Sequence, residues 1–448
     1  MTVEIKMPQG RFDGHARNKL GTLEPDDLLH RIGPGTPCGE YMRRFWHPIA
    51  ISSMVADRPV RLRRFGENLV LFRDKSGRLG LLHLNCSHRN ASLEFGVIET
   101  DGIRCCYHGW KYDIDGTILE TPAEPANSRI RERVRQGAYP VVEYKNMIFA
   151  YFGPPAEQPP LPVLDTWDWP DDEMVPYMVP SPVNWLQVSE NSVDPYHVPF
   201  LHARVTGVQF QDNFAHIGVI NYHEREAGFF YTTARRVGRM LWIRVHDHLL
   251  PNFSQNGGMW TEGDQSVYFA RCGLTRWVVP VDDTNCIVIA WRHFNKETDP
   301  LGRGDKSQCG YDSVDFYGQT GHRPYELKQS NPGDYEAWGG QGPITVHARE
   351  NLGHSDQGVA SLRRKLKAAI KKFQEGERPL QPSVDGVPVN TYAGDTVLAI
   401  PPSNDDRDLC DRVSRRMAEI YRSGDKLTGE ARRLHIKAAL RELETMRG

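Results

Sequence analysis

The sequence predicts an α+β protein, with an all-β first part, an antiparallel sheet with packed helices in the second, and a helical tail. Three observations carry that expectation. From about residue 48 to 152, short alternating runs such as VRLRRFGENLVLFRD and VVEYKNMIFAYFG are separated by Gly, Asn and Asp turns, the pattern of a small β sandwich. Pro154, Pro155, Pro159, Pro160 and Pro162 then mark a linker. Beyond it, long β-rich segments between about 216 and 294 precede an amphipathic helix at about 358 to 375.

In chain order, Pro25 opens a short helix, Gly and Pro at 33 to 37 make a turn, and a second short helix follows. Residues 1–47 therefore read as a segment wrapping the next domain. The β domain spans 48–155, a larger domain 165–400, and a helical extension 405–448 whose mixed charge suits the surface. The stretch GPGTPCG is not a dinucleotide loop: its prolines interrupt it, its third glycine is out of register and no strand precedes it.

Composition excludes several function classes. Lys plus Arg number 55 against 57 for Asp plus Glu, a formal net charge of -2, which argues against nucleic acid or an anionic membrane as partner. The amino terminus has no apolar h-region and no run of 18 apolar residues occurs, so a cytoplasmic location is expected. Eight cysteines scattered over 448 residues do not form a disulfide framework.

Four of the metal-binding side chains stand in two pairs. Cys86 and His88 lie in NCSHRN, Cys105 and His108 in RCCYHGW, with 16 residues between His88 and Cys105. Two tight loops offering one sulfur and one nitrogen each suit a 2Fe-2S cluster in which two thiolates hold one iron and two imidazoles the other. A Cys2His2 zinc site uses the same residue types, but it keeps its cysteines in one arm and its histidines in the other. Cys106 is expected to point away, and Cys38, Cys272, Cys286, Cys309 and Cys410 to be buried small hydrophobes.

A second site is expected in ENSVDPYHVPFLH. Asp194, His197 and His202 are spaced so that the two imidazoles converge if the helix is broken or widened near Pro199. Two histidines and a carboxylate make a facial triad with open positions on Fe(II). The carboxylate candidate is Asp356, at the start of the amphipathic helix, where it suits the helix dipole or serves only as an N-cap. His246 and His248 share one face of a strand, and pocket lining is the better reading for them than metal binding.

These motifs closely resemble the α subunit of Rieske non-haem iron aromatic-ring oxygenases over nearly the whole chain. LLHRIGPGTPCGEYMRRFWHP and ENLGHSDQGVASLRR look most like the phthalate dioxygenase type, including the dehydrodivanillate O-demethylase branch. The resemblance implies a Rieske domain followed by a helix-grip catalytic domain. It implies that Cys86, His88, Cys105 and His108 hold the cluster, that His197, His202 and Asp356 hold a mononuclear Fe(II), and that Asp194 links the two centres across subunits of a trimer or a dimer of trimers. This chain has Cys106 where proline is usual in the family.

The same resemblance implies O2 as co-substrate and an aromatic compound, often carboxylated, that is dihydroxylated, monohydroxylated or O-demethylated. Arg204 or Arg244 would pair with its carboxylate. No nicotinamide or flavin signature is present, so a separate NAD(P)H-dependent flavin or ferredoxin reductase must deliver the electrons. The competing expectation is an electron carrier or structural metal protein whose second domain only binds.

Overall fold

A computed structural model describes residues 23–445, apart from 168, 170, 205–207, 261–262, 312–319 and 384–385. Residues 1–22 of the expected wrapping segment and 446–448 of the tail lie outside the described residues.

Residues 46–151 build three small antiparallel sheets. The first runs β1 (Trp46–Ile51), β11 (Met147–Tyr151), β10 (Val141–Tyr144); the second β2 (Val60–Arg64), β3 (Glu67–Arg73), β4 (Leu79–His83), β9 (Ala138–Tyr139). The third, β5 (Val97–Glu99), β6 (Gly102–Arg104), β7 (Lys111–Tyr112) and β8 (Ile118–Glu120), carries the second Cys/His loop between β6 and β7. A one-turn helix, α3 (Ile130–Arg133), precedes β9.

Beyond the prolines a nine-stranded antiparallel sheet forms. Its order is β12 (Glu173–Ser181), β19 (Asn285–Phe294), β18 (Cys272–Asp282), β16 (Phe253–Gly257), β15 (Met240–Leu249), β14 (Gly228–Val237), β13 (Val219–Arg225). β20 (Gly394–Leu398) pairs with β15, and β17 (Val267–Ala270) with β20. The period-2 alternation of strands gives this sheet two chemically different faces. On β14, Phe230 and Ala234 face one way with Leu241, Ile243 and Val245 of β15, packed in one apolar cluster. On the other face Tyr231, Thr233 and Arg235 stand opposite His246, Arg244 and Trp242.

The apolar face is covered by α9 (Asp406–Ser423) and α10 (Gly429–Thr445). Leu409, Val413, Met417, Ile420, Tyr421, Ile436 and Leu440 are buried there, so these helices are core rather than the surface extension their charge suggested. Their charged residues occupy the outward stripe, which dominates the composition of an amphipathic helix without deciding where it packs. The polar face is covered by α4 (Trp185–Asn191), which packs on β18 and β19 and in turn on α7 (Asp334–Gly339) and α8 (Gln357–Gln374). The turn α5 (His197–Pro199) follows α4, and α6 (Tyr325–Ser330) precedes α7. Tyr231 and Tyr222 pin that cover to the sheet by donating to the carbonyls of Ser192 (3.0 Å) and Val193 (3.2 Å).

The amino-terminal helices α1 (Asp27–His30) and α2 (Pro37–Met42) do form on either side of the Gly/Pro turn. They pack on α4 and α8 rather than chiefly on the β domain that follows them. Asn184 donates to the His30 carbonyl (2.9 Å) and Trp185 to that of Leu29 (3.2 Å). Arg43, just past α2, reaches the other way to Glu67 and the Phe65 carbonyl. One apolar core therefore runs from the amino-terminal helices through β1 and β11 into β12, β18 and β19, with Phe149 and Trp291 each in ring contact with Trp167 and Trp277.

Candidate functional site: two metal-ligating centres

The two Cys/His loops are built alike. In the first, the Cys86 N–H donates to the Ala91 carbonyl (2.8 Å) and the Asn90 N–H returns to the Cys86 carbonyl (2.9 Å). In the second, Cys105 N–H donates to Trp110 (2.8 Å) and Gly109 N–H returns to Cys105 (3.1 Å). The fifth residue of each loop must turn left-handed to close this pattern, and Asn90 (φ 60°) and Gly109 (φ 73°) are residue types that tolerate it. Gln136 straps the first loop by accepting from Ser87 N–H and donating to the carbonyls of His83 and Asn85.

Cys86 and Cys105 are buried, whereas His88 and His108 are half-buried, with ring centroids 4.7 Å apart. Burial pushes the Cys86 thiol up, and the facing Cys105 thiol adds to that shift. The Tyr112 hydroxyl lies 2.9 Å from Cys86 Sγ and Trp110 stacks on His88 (4.6 Å, 5° between planes). His88 Nδ1 is buried with no hydrogen-bond partner, the state of a nitrogen shaped to bind a metal. This donor set, two sulfurs inside and two imidazoles outside, fits a 2Fe-2S cluster. Cys106 is exposed and the other five cysteines are buried.

The second centre starts at α4. Asn184 caps this helix, its side chain accepting from Leu186 N–H, and Pro195 disfavours further helix at Asp194. The chain re-enters at α5, and Pro199, lacking an N–H, is followed by a π-helical turn, Phe200–Arg204. That widening matters because side chains five apart point about 140° away from each other on a 3.6-residue helix. An i→i+5 turn brings them back together. His197 and His202 accordingly meet, with ring centroids 5.2 Å apart.

The carboxylate between them is Asp334. Its Oδ1 lies 3.5 Å from His197 Nε2 and 3.3 Å from His202 Nε2, and it accepts from Asn191 Nδ2 (3.0 Å). It is the first residue of α7, whose entry is held by Glu336 accepting from Gly333 N–H (2.8 Å). The three side chains form one group whose ligand atoms all lie within 4.8 Å of one another. His197 Nδ1 donates to the Asp194 carbonyl, which can only accept, so the Nε2 lone pair faces Asp334. Burial pulls the His197 imidazole below its ordinary range; burial opposes charge on His202 too, yet Asp334 lifts it above.

Asp356, the carboxylate expected from the sequence, does not join this group. Its Oδ2 is spent on Gly353 N–H (2.6 Å) in the turn that leads into α8. It does lie close enough to Asp194 to raise that carboxyl, although burial is the larger cause. Asp194 sits beside His197, but its carbonyl and not its carboxylate makes the close contact; Oδ2 is 3.9 Å from Nδ1 and Oδ1 accepts from Tyr196 N–H. Sequence reasoning missed Asp334. Both aspartates open helices after a glycine-containing turn, so no local signal separates them.

Other expected residues have plain roles. Arg204 donates to the Ala215 carbonyl (2.6 Å). His246 and His248 are buried on the polar sheet face, His246 stacked on Tyr231, and neither belongs to a metal-ligating group among the described residues. A further group of Glu190, His347 and Glu350 is already bridged by the guanidinium of Arg363, which fills the place of a cation.

The polar sheet face also holds two residues that matter for a ligand. Arg244 donates to the carbonyls of Gly258 (3.1 Å) and Gly257 (3.0 Å). Arg235, 3% exposed, has Nε and Nη1 buried without a hydrogen-bond partner. Burial, then Arg244, lowers its guanidinium to about 9. Both guanidiniums lie over Phe214 and Trp242 (4.9–5.8 Å to ring centroids). Phe214 touches Phe210, whose edge meets His202.

Comparison with known proteins agrees with this chemistry. Residues 45–142 match the model of the Rieske [2Fe-2S] domain. The chain is 40% identical to the tert-butanol monooxygenase / tert-amyl alcohol desaturase oxygenase subunit of Aquincola tertiaricarbonis over 97% of its own length and 96% of that protein's. It is 34% identical to the 5,5'-dehydrodivanillate O-demethylase oxygenase subunit of Sphingobium sp. (84% and 88% covered). Its fold matches the crystal structure of dicamba monooxygenase with a TM-score of 0.55 at 17% identity, covering 75% of this chain and all of that one.

Proposed function

The chain belongs to the Rieske non-haem iron oxygenases as an oxygenase subunit, and from that premise we propose that it oxidises an aromatic acid. Cys86, His88, Cys105 and His108 hold the 2Fe-2S cluster, and His197, His202 and Asp334 hold the mononuclear iron. Bound there, the iron supplies O2 activation, fed by electrons from the cluster and ultimately from a separate reductase. The protein's own part is to keep both Nε2 lone pairs on the metal, to close the site from water with the α4–α5 cover, and to orient the substrate.

Arg235 is the observation that carries the substrate class. A buried guanidinium with two unpaired N–H groups is costly unless a ligand pairs with it, and a carboxylate does so with two parallel hydrogen bonds. Asp395 offsets part of that charge through space but makes no hydrogen bond to Arg235 Nε or Nη1: its carboxylate accepts from Trp242 Nε1 (2.9 Å) and lies 3.6 Å from Arg244. Phe210, Phe214 and Trp242 line the way from His202 to Arg235 and suit an aromatic ring between iron and anion. The relatives named for phenoxybenzoate, phthalate and 3-chlorobenzoate dioxygenases act on such acids.

Delivery of electrons from a neighbouring copy, through Asp194, accords with the surface around the cluster. Phe95, Val97 and Tyr107 are exposed beside the cluster loops, an apolar rim of the kind a second subunit or a reductase covers. A cytoplasmic location accords with the described helices, none of which is long and apolar enough to cross a membrane.

The test is substrate-dependent O2 uptake with a surrogate reductase, comparing benzoates, methoxybenzoates and phthalates with tert-butanol. Aromatic acids are expected to drive uptake, and Arg235→Met to raise their KM about 10–100-fold, the worth of a charge-assisted hydrogen bond of about 1.5–3 kcal/mol. Uptake with tert-butanol but not with the acids, or an unchanged KM in R235M, sinks the aromatic-acid reading.

A further inference from the structure

We infer that Gln209 is a positioning residue that ties two iron ligands 132 residues apart in sequence, His202 and Asp334, into one preformed site. This rests on the reading of His197, His202 and Asp334 as the iron ligands. The Gln209 amide stands between His202 and the loop that delivers Asp334: His202 Nδ1 lies 2.8 Å from its Oε1, while its Nε2 donates to the Pro332 carbonyl (2.6 Å) and to Asn331 Oδ1 (3.2 Å). Its backbone N–H also returns to the His202 carbonyl (2.9 Å).

The direction of these bonds is forced from one end. A peptide carbonyl can only accept, so the Pro332 oxygen requires the amide nitrogen of Gln209 to face it. The amide oxygen must then face His202, and an oxygen acceptor there requires the hydrogen on Nδ1. His202 is thereby held as the tautomer whose Nε2 carries a lone pair toward Asp334 and the metal. The same amide fixes the height of the Asn331-Pro332-Gly333 turn and so the place of Asp334, the next residue. Arg323, donating to the Asn331 carbonyl (2.8 Å) and paired with Glu336, braces that turn from its other side. His197 gets the equivalent tautomer from a main-chain carbonyl, whereas His202 depends on a side chain, and a side chain can be exchanged.

The experiment measures Fe(II) affinity by equilibrium dialysis of full-length protein that retains its cluster, with labile iron first removed by a mild chelator. Bound iron is counted against acid-labile sulfide. Gln209→Met, equal in length but without hydrogen bonds, is expected to weaken Fe(II) binding about 10–100-fold with the cluster unchanged. Gln209→Glu keeps an acceptor for Nδ1–H but not the donor to Pro332, and is expected to fall between Q209M and wild type. Wild-type affinity in Q209M, or a Q209E no better than Q209M, overturns the inference. If Q209M does not accumulate, Asn331→Leu removes one acceptor of the amide and is expected to weaken binding several-fold; no weakening there counts against it equally. Controls separate the layers: His202→Ala or Asp334→Ala binding Fe(II) like wild type refutes the ligand reading, whereas their loss of Fe(II) with Q209M unaffected refutes this inference alone.

Discussion

The cluster loops and the iron site are two solutions to the same problem, holding a metal with four and three side chains. Each cluster arm closes on itself within six residues, through two backbone hydrogen bonds and one left-handed residue. The site proposed for the iron closes only through the fold: two histidines come from one widened helical turn, and Asp334 arrives from α7 on a loop that Gln209, Arg323 and Glu336 hold in place. A locally closed site is written in adjacent residues. A site closed by tertiary contacts has its last member wherever the chain happens to return.

The largest test of that contrast is Asp334→Ala. It should remove the mononuclear iron and reduce substrate-dependent O2 uptake to background while leaving the cluster's visible absorption intact, so that iron per chain falls from about three to about two. Loss of the cluster as well would show that the two centres are not independent. Asp356→Ala is its partner at the small end of the scale. It should keep all the iron and lower stability by about 0.5–1.5 kcal/mol, the worth of the Gly353 hydrogen bond, measured by denaturant unfolding.

Between these extremes lie two tests of how each region is held. Met417, fully buried under the apolar face of the nine-stranded sheet, should cost about 2–5 kcal/mol when changed to Ala. A change within a few tenths of a kcal/mol would return α9 to the surface role its charge implied. On the cluster side, Glu67 is expected to make stability sensitive to acid. Its carboxyl is held at about 2: burial alone would raise it, but His83, Arg43 and Tyr139 together lower it. A folded-state value below the ordinary 4.5 means that stability is fully present above about 4.5 and is lost as pH falls from there through about 2. Glu67→Gln should flatten that part of a stability–pH profile, and an unchanged profile would show that the contact between Arg43 and β3 carries no weight.

Much of this molecule was legible in the sequence for the same reason that its cluster was. The turn formers around Cys86 and Cys105, the prolines after residue 153, the Asp194–His197–His202 spacing with Pro199 between, and the amphipathic period of α8 are all local patterns with local causes. Asp356 was the candidate carboxylate because a helix start suits a negative side chain and because the family resemblance pointed to it, but Asp334 also opens a helix. The amino-terminal helices likewise formed where expected yet chose α4 and α8 as neighbours, because their apolar residues find the larger unfilled core there.

Local sequence was enough for the paired Cys/His loops, the meeting of His197 and His202, and the order of sheet and helix. Packing alone settles that Asp334 and not Asp356 meets those histidines, that the Gln209 amide bonds one of them, that Arg235 keeps two nitrogens without a hydrogen-bond partner beside aromatic rings, and that α9 and α10 are core. The physical reason is range. Turn propensity, helix periodicity and ligand spacing act over a few residues, whereas burial, unpaired hydrogen bonds and the meeting of groups more than a hundred residues apart depend on how whole elements pack.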